Sequence, residues 1–287
     1  MGKFSKALDK VDSLEGGTAD RDMKRESSVA SGGTGGRRPS TQQGPVVKAV
    51  RKSSSGSWDE RLSQATMVTG PAAESFRTLR SRILHPSSGV VPKSLLITSA
   101  VPGEGKSFVC ANLGVVLAQG MDHYCLMVDC DLRKPALHRL FGLPLHQGRV
   151  NYLRDGDDLT SMILSAGVET LSLLPAGPPP VNPAELLGSE RMTRLVEELE
   201  NRYDDRIILL DSPPMQAASE TAVLARQVDG VILVVRWGGS RRENLHKLVE
   251  LIGPERIVGV VFNAFETNIL DEKLFGSYEY YAYEETT

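Results

Sequence analysis

Long apolar runs are missing from this chain. Nowhere in its 287 residues does a hydrophobic stretch approach the about 18–20 residues that span a bilayer. The polar opening MGKFSKALDK also lacks the apolar segment of a secretory leader. The expectation is therefore a cytoplasmic chain that reaches a membrane only through a partner. Cysteine is scarce too. Cys110, Cys125 and Cys130 are odd in number, lack CxxC spacing and sit in apolar surroundings. That excludes a disulfide framework and a cysteine zinc site, and points to reduced thiols. The five histidines show no metal-ligand spacing. A net charge of −3 carries none of the basic excess that a general nucleic-acid binder needs. Aromatics make up only 6% of the chain, yet four of its seven tyrosines (Tyr278, Tyr280, Tyr281 and Tyr283) fall in the last ten residues.

Apolar content is also absent locally. Residues 12–57 are rich in Gly, Ser, Thr and charge, as in SGGTGGRRPSTQQGP, and cannot bury enough surface to offset the entropy of ordering. The composition predicts disorder there. Arg37, Arg38, Lys48, Arg51 and Lys52 make residues 31–57 basic, a solvated linker in character. Phe4, Leu8 and Val11 at helical spacing allow a short amphipathic helix ahead of it. The expected organisation is an extension over 1–70, a folded domain over 71–270 and a flexible tail over 271–287.

What is present begins near residue 93. Six nearly continuous Val/Ile/Leu runs follow: SLLITS (94–99), YCLMVD (124–129), LSLLPA (171–176), RIILLD (206–211), GVILVV (230–235) and IVGVVF (257–262). Such runs suit strands buried on both faces. Helical periods such as 189–203 and 241–253 lie between most of them. Strand–helix alternation predicts an α/β fold with a doubly wound, mostly parallel sheet, whose ligands bind at the carboxyl ends of the strands.

The first run ends in AVPGEGKSFVCANLG. Against GxxxxGK(S/T), Gly105, Lys106 and Ser107 match, while Ala100 stands at the first glycine. Gly103 and Gly105 let the backbone curl so that several N–H groups face one anion, and the next helix adds its positive end. Lys106 would reach the β- and γ-phosphates and the Ser107 hydroxyl would ligate Mg²⁺. Two further runs end in acid: Asp129 with Asp131, and Asp211 before Ser212-Pro213-Pro214. Acids closing strands beside a phosphate loop are placed to hold a metal. The expected ligands are ATP and Mg²⁺, with Ser107, Asp129, Asp131 and Asp211 at the metal.

On these motifs the chain resembles the bacterial protein-tyrosine kinases of capsule and exopolysaccharide systems, which use a P-loop NTPase fold. PGEGKS resembles their Walker A, LMVDCDLRKP their Walker A′ and IILLDSPP their Walker B; GPPPVNPAELLGSE resembles their proline-rich stretch. Glu74, Arg77 and Arg80 fit E-x-x-R-x-x-R, which the family uses for contacts in a ring-shaped homo-oligomer. The resemblance implies that Gly103, Glu104, Gly105, Lys106, Ser107 and Phe108 bind nucleotide and that Asn263, ending the last core strand, contacts the base. It further implies that Lys106, Asp129, Asp131 and Asp211 are catalytic, with Asp129 as the base.

The tyrosine tail is then the phosphoacceptor. An extended tail can reach the γ-phosphate in line where a buried side chain cannot. The resemblance is to the split type, in which a separate membrane protein of chain-length-determinant kind activates a peripheral kinase at the inner face of the membrane. Two rivals differ in class. A partition-type ATPase carries a signature lysine where this chain has Val101, and a nucleotide-bound scaffold of polysaccharide assembly would transfer nothing.

Overall fold

In the computed structural model, residues 57–264 are described, apart from 68, 88, 121, 122, 204 and 218. The expectations for residues 1–56 and for the tyrosine tail lie outside them. Seven strands form one sheet: β1 (Ser94–Thr98), β2 (Tyr124–Asp129), β3 (Leu164–Ser165), β4 (Leu171–Leu174), β5 (Arg206–Asp211), β6 (Gly230–Arg236) and β7 (Ile257–Asn263). Their order is β3-β4-β2-β5-β1-β6-β7. Every pairing is parallel except β3 with β4. All six expected strands are present, and β1, β2, β4 and β5 are buried along nearly their whole length. The unexpected seventh, β3, is only two residues long, too short for an alternation to show in sequence.

Two helical layers enclose the sheet. One face carries α1 (Glu60–Met67), α2 (Pro71–Leu84) and α3 (Lys106–Ala118), with the short α4 (Leu137–Leu140) beside α3. The other carries α5 (Arg149–Asp155), α6 (Pro183–Leu187), α7 (Glu190–Arg202), α8 (Glu220–Gln227) and α9 (Arg242–Ile252). The sequence of α7 explains its seat. Met192, Leu195, Val196 and Leu199 are buried at i, i+3, i+4 and i+7, each contributing about 1.5–3 kcal/mol. The Ser189 hydroxyl caps the start by accepting from the Met192 N–H at 3.2 Å.

Helix α3 has no such stripe because it is covered nearly all round: eleven of its residues, from Lys106 to Ala118, are buried. Gly114 lets it approach β2, since a Cβ there would stand 2.6 Å from the Met127 sulfur. The three cysteines are free and buried, and burial raises their thiol pKa values, that of Cys130 to about 12. Among the described residues no helix is long and apolar enough to cross a membrane.

The expected boundary at residue 70 is corrected. Folded chain begins earlier, because Trp58 anchors it. The indole N–H donates to the Ala166 carbonyl at 3.1 Å, and the ring meets Phe141 edge-on at 5.4 Å. Asp59 N–H donates to the Leu140 carbonyl at 2.9 Å, and Leu62 on α1 is fully buried. An isolated tryptophan after a Gly/Ser tract gave no periodic signal. Trp58→Ala removes this anchor and is expected to cost about 3 kcal/mol, lowering the melting temperature by about 6–10 °C; differential scanning calorimetry checks it.

The opposite edge is different in kind. Along β7, burial alternates, leaving Val258, Val260 and Phe262 exposed.

Candidate active site

Strand β1 runs into the glycine-rich loop and then α3. Gly103 and Gly105 have φ of +83° and +91°, left-handed conformations that glycine adopts without strain. Gly105 is also the residue preceding α3, so the curl of the loop and the start of the helix coincide. Lys106, at the first helical position, is 8% exposed, and Ser107 is half-buried. The segment after β5 lies along this loop. Met215 N–H donates to the Ser99 carbonyl at 3.0 Å and Gln216 N–H to that of Ala100 at 3.2 Å.

Asp129 and Asp211 end adjacent strands and are register partners. Both are fully buried, but they are satisfied differently. Asp129 Oδ1 accepts from Asp131 N–H at 3.2 Å, and its Oδ2 from Ala136 and Leu137 N–H at 3.1 and 3.2 Å. Asp131 Oδ1 accepts from Arg133 and Lys134 N–H at 3.2 and 3.0 Å. The D-C-D-L-R-K-P segment thus folds around its two aspartates, and Asp129 caps α4. Asp211 has no such support: among the described residues no backbone N–H is directed at either oxygen, and the Ser107 hydroxyl is a group that approaches it. Burial raises its pKa well above the usual range and the neighbouring Asp129 adds to this, while the Ser107 hydroxyl and Lys106 pull the other way. Burial likewise raises Asp129, to about 7, against the Leu137 hydrogen bond and the Arg149 charge.

A buried carboxylate that no backbone N–H satisfies, beside a hydroxyl and a lysine, fits a hard divalent cation. Among the described residues, however, no three His, Cys, Asp or Glu side chains close into a metal cluster. The expected four-residue set is therefore not a preformed cage. Asp211 and Ser107 are the open donors, and Asp129 and Asp131 are engaged by backbone N–H groups. A Mg²⁺ bound by few protein ligands takes the rest from phosphate oxygens and water.

Other expected residues turn out to have structural partners. The Glu104 side chain points inward and is 1% exposed, so what it offers a phosphate is its backbone. The Asn263 Nδ2 donates to the Glu104 carbonyl at 2.9 Å. Arg80 Nη1 donates to the Val116 carbonyl on α3 at 3.1 Å, whereas Glu74 and Arg77 pair on the surface at 3.2 Å. Phe108 packs edge-on against Phe76 of α2 at 6.3 Å.

Arg149 went unread in the sequence. It is fully buried, donates to the Met192 sulfur at 3.0 Å, and leaves Nε and Nη2 without partners among the described residues. One arginine in GRVNYL resembles any surface charge, and only burial reveals it. Beside the site lies an open cleft of about 670 Å³, lined by Arg133, Ala184, Glu185, Met215, Gln216 and Glu220 among others. Arg133 and Glu220 face each other there at 3.5 Å.

This arrangement can hold a nucleoside triphosphate with a divalent cation and present an acceptor group from the cleft side. No family model matches the chain. Individual relatives do. The chain is 34% identical to tyrosine-protein kinase YwqD of Bacillus subtilis over 217 residues, 75% of this chain and 90% of that one. It matches tyrosine-protein kinase Wzc of Salmonella typhimurium at 29% identity, over 31% of that longer protein. Among solved structures, the kinase domain of Escherichia coli tyrosine kinase ETK matches with a TM-score of 0.64 and 31% identity, over 72% of this chain and 82% of that domain. The chimerical protein CapA2B2 matches with a TM-score of 0.66 and 32% identity, over 73% of this chain and 92% of that one. Site, fold and relatives agree: this chain belongs to the bacterial tyrosine-protein kinases.

Proposed function

We propose that the chain transfers the γ-phosphoryl group of Mg·ATP to tyrosines of its own C-terminus, Tyr278, Tyr280, Tyr281 and Tyr283, in trans within a ring-shaped homo-oligomer. The observation that carries the reading is the buried Asp129–Asp211 pair beside Lys106 and Ser107, set next to a cleft that an extended segment can enter.

The proposal gives each residue a role that the geometry supports. Backbone N–H groups of 103–107 and the amino end of α3 bind the phosphates. Lys106 neutralises charge on the β- and γ-phosphates. Mg²⁺, held by Asp211 and the Ser107 hydroxyl, would add Lewis-acid stabilisation of the charge on those oxygens. Asp129 takes the tyrosine proton. A phenol of pKa near 10 needs such a base, and a carboxylate raised to about 7 is far better matched to it than an ordinary one near 4. Asp131 orients the Arg133–Lys134 turn at the cleft.

The exposed Glu74–Arg77 pair on α2 is the ring contact, and Arg80 fixes that helix to α3. A membrane protein of chain-length-determinant type supplies activation, and the output is control of capsule or exopolysaccharide polymerisation and export. Several phosphates within six residues add about −1.5 to −2 charge each, which loosens the ring.

The test is mass spectrometry of the C-terminal peptide after incubation with Mg·ATP, with a candidate activator segment present. Wild type is expected to carry phosphate on the tail, and Lys106→Met to carry about a hundredfold less. Unmodified tails in both, with ATP still hydrolysed, would overturn the reading in favour of a partition-type ATPase or a scaffold.

A further inference from the structure

The Glu104 side chain has no part in the chemistry above, yet it is an acid in the middle of a loop built to receive a triphosphate. Such a charge is repulsive unless it is held and directed elsewhere. Here it is. Oε2 accepts from the Val101 N–H at 3.1 Å, and Oε1 accepts from the Ser240 hydroxyl at 2.6 Å and the Arg236 N–H at 3.3 Å. The backbone of the same residue is held as well, since its carbonyl accepts from Asn263 Nδ2 at 2.9 Å. Asn263 is itself fixed, its carbonyl accepting from the Trp237 N–H at 2.9 Å. Three segments far apart in sequence therefore meet on one buried residue: the phosphate loop, the turn after β6 and the end of β7.

The turn is shaped for this contact. Gly238 has φ of +67°, and a Cβ on Gly239 would stand 3.0 Å from that of Arg236, so the chain doubles back tightly enough to bring Ser240 onto Glu104. A phosphate loop works because successive N–H groups face one anion. Glu104 takes the Val101 N–H out of that set and fixes where the curl begins.

We infer that Glu104, Ser240 and Asn263 form a clamp that sets the curvature of the phosphate loop, with Glu104 as a positioning residue and the 236–240 turn as its outer anchor. The clamp lets the turn at 237–240, where Trp237 is 44% exposed, communicate with phosphate binding without touching the nucleotide. The inference rests on the loop holding the triphosphate and not on tyrosine being the acceptor.

The experiment titrates the full chain with Mg·tripolyphosphate, which has no base or ribose, and with Mg·ATP. Wild type, Glu104→Gln, Ser240→Ala and Ser240→Thr are compared, with the melting temperature of each recorded. In Glu104→Gln an amide nitrogen must face either the Val101 N–H or the Arg236 N–H. Affinity for Mg·tripolyphosphate is expected to fall about tenfold. Ser240→Ala, which lies outside the loop, is expected to lose about threefold, and Ser240→Thr to restore it. In phosphotransfer the loss falls on KM for ATP more than on kcat.

Wild-type affinity for Mg·tripolyphosphate in both Glu104→Gln and Ser240→Ala overturns the clamp. So does a loss that appears only in protein already unfolded at the assay temperature. Should the affinity pattern hold while no protein, wild type included, labels its tail, the tyrosine-acceptor reading fails and the clamp stands.

Discussion

Asp211→Asn is expected to abolish phosphotransfer and, at pH 8, to raise the melting temperature of the ligand-free protein. Both effects have one cause. Asp211 is fully buried with no backbone N–H on either oxygen among the described residues, and its register partner is a second buried acid. An arrangement that suits a bound cation is costly when that cation is away. The folded-state pKa values of Asp211 and Asp129 are raised, whereas an unfolded chain releases such protons near pH 4. Between those limits the native state binds more protons, so the pair's contribution to stability falls as pH rises. Asparagine cannot ionise and keeps the volume.

The variant's advantage should be absent below about pH 4 and reach about 3–6 °C at pH 8, or about 1–2 kcal/mol at this chain length. Its phosphotransfer rate should drop by about a hundredfold or more. Mg·ATP should stabilise wild type and leave the variant almost unmoved. Scanning calorimetry across pH reads the first effect, and a lowered melting temperature at pH 8 would refute the account.

Gly105→Ala should weaken nucleotide binding severely. Two costs combine at this position. The backbone φ of +91° lies where a Cβ is strained, and that Cβ would fall 2.0 Å from Asn263 Nδ2. The amide can swing aside only by giving up its bond to the Glu104 carbonyl, at a cost of about 1 kcal/mol. A loop pushed open misdirects several N–H groups at once, so affinity for Mg·ATP is expected to fall at least a hundredfold, about 2.7 kcal/mol. Pairing the change with Asn263→Ala separates the two costs. The double variant should recover about tenfold, the remainder being conformational strain. Equilibrium dialysis with labelled ATP measures all four proteins, and wild-type affinity in Gly105→Ala would show that the loop tolerates a side chain.

The sheet and the phosphate loop were legible because their physics is local. Continuous runs such as RIILLD and GVILVV are what strands buried on both faces require. A lysine and a hydroxyl behind two glycines can be recognised without knowing what surrounds them. The fate of individual polar side chains was less legible. Glu104 and Lys106 are two residues apart in the same motif, and nothing in the spacing shows that the Glu104 carboxylate is tied inward to a serine on the turn after β6. Arg77 and Arg80 read alike in E-x-x-R-x-x-R, yet one pairs with Glu74 on the surface and the other bonds to the Val116 carbonyl. Arg149 and Trp58 owe their positions to contacts more than 40 residues away, with Met192 and Ala166, and no pattern of neighbours encodes those. Asp129 and Asp211 were found as strand ends. That one is fully hydrogen-bonded and the other is not depends on the turn that follows each.

The two margins of the sheet are unequal. On one side a two-residue antiparallel stub ends the ladder; on the other, among the described residues, a full seven-residue strand with three exposed side chains is the last rung. A ribbon built this way is directional: it is blunt at one end and, among the described residues, unpaired along a full strand at the other. Any extended polypeptide that pairs with the open margin lies alongside Ile257–Asn263 and ends beside an amide already bonded to the phosphate loop. Pairing along that margin and the hold on the phosphate loop would then meet at a single residue, Asn263.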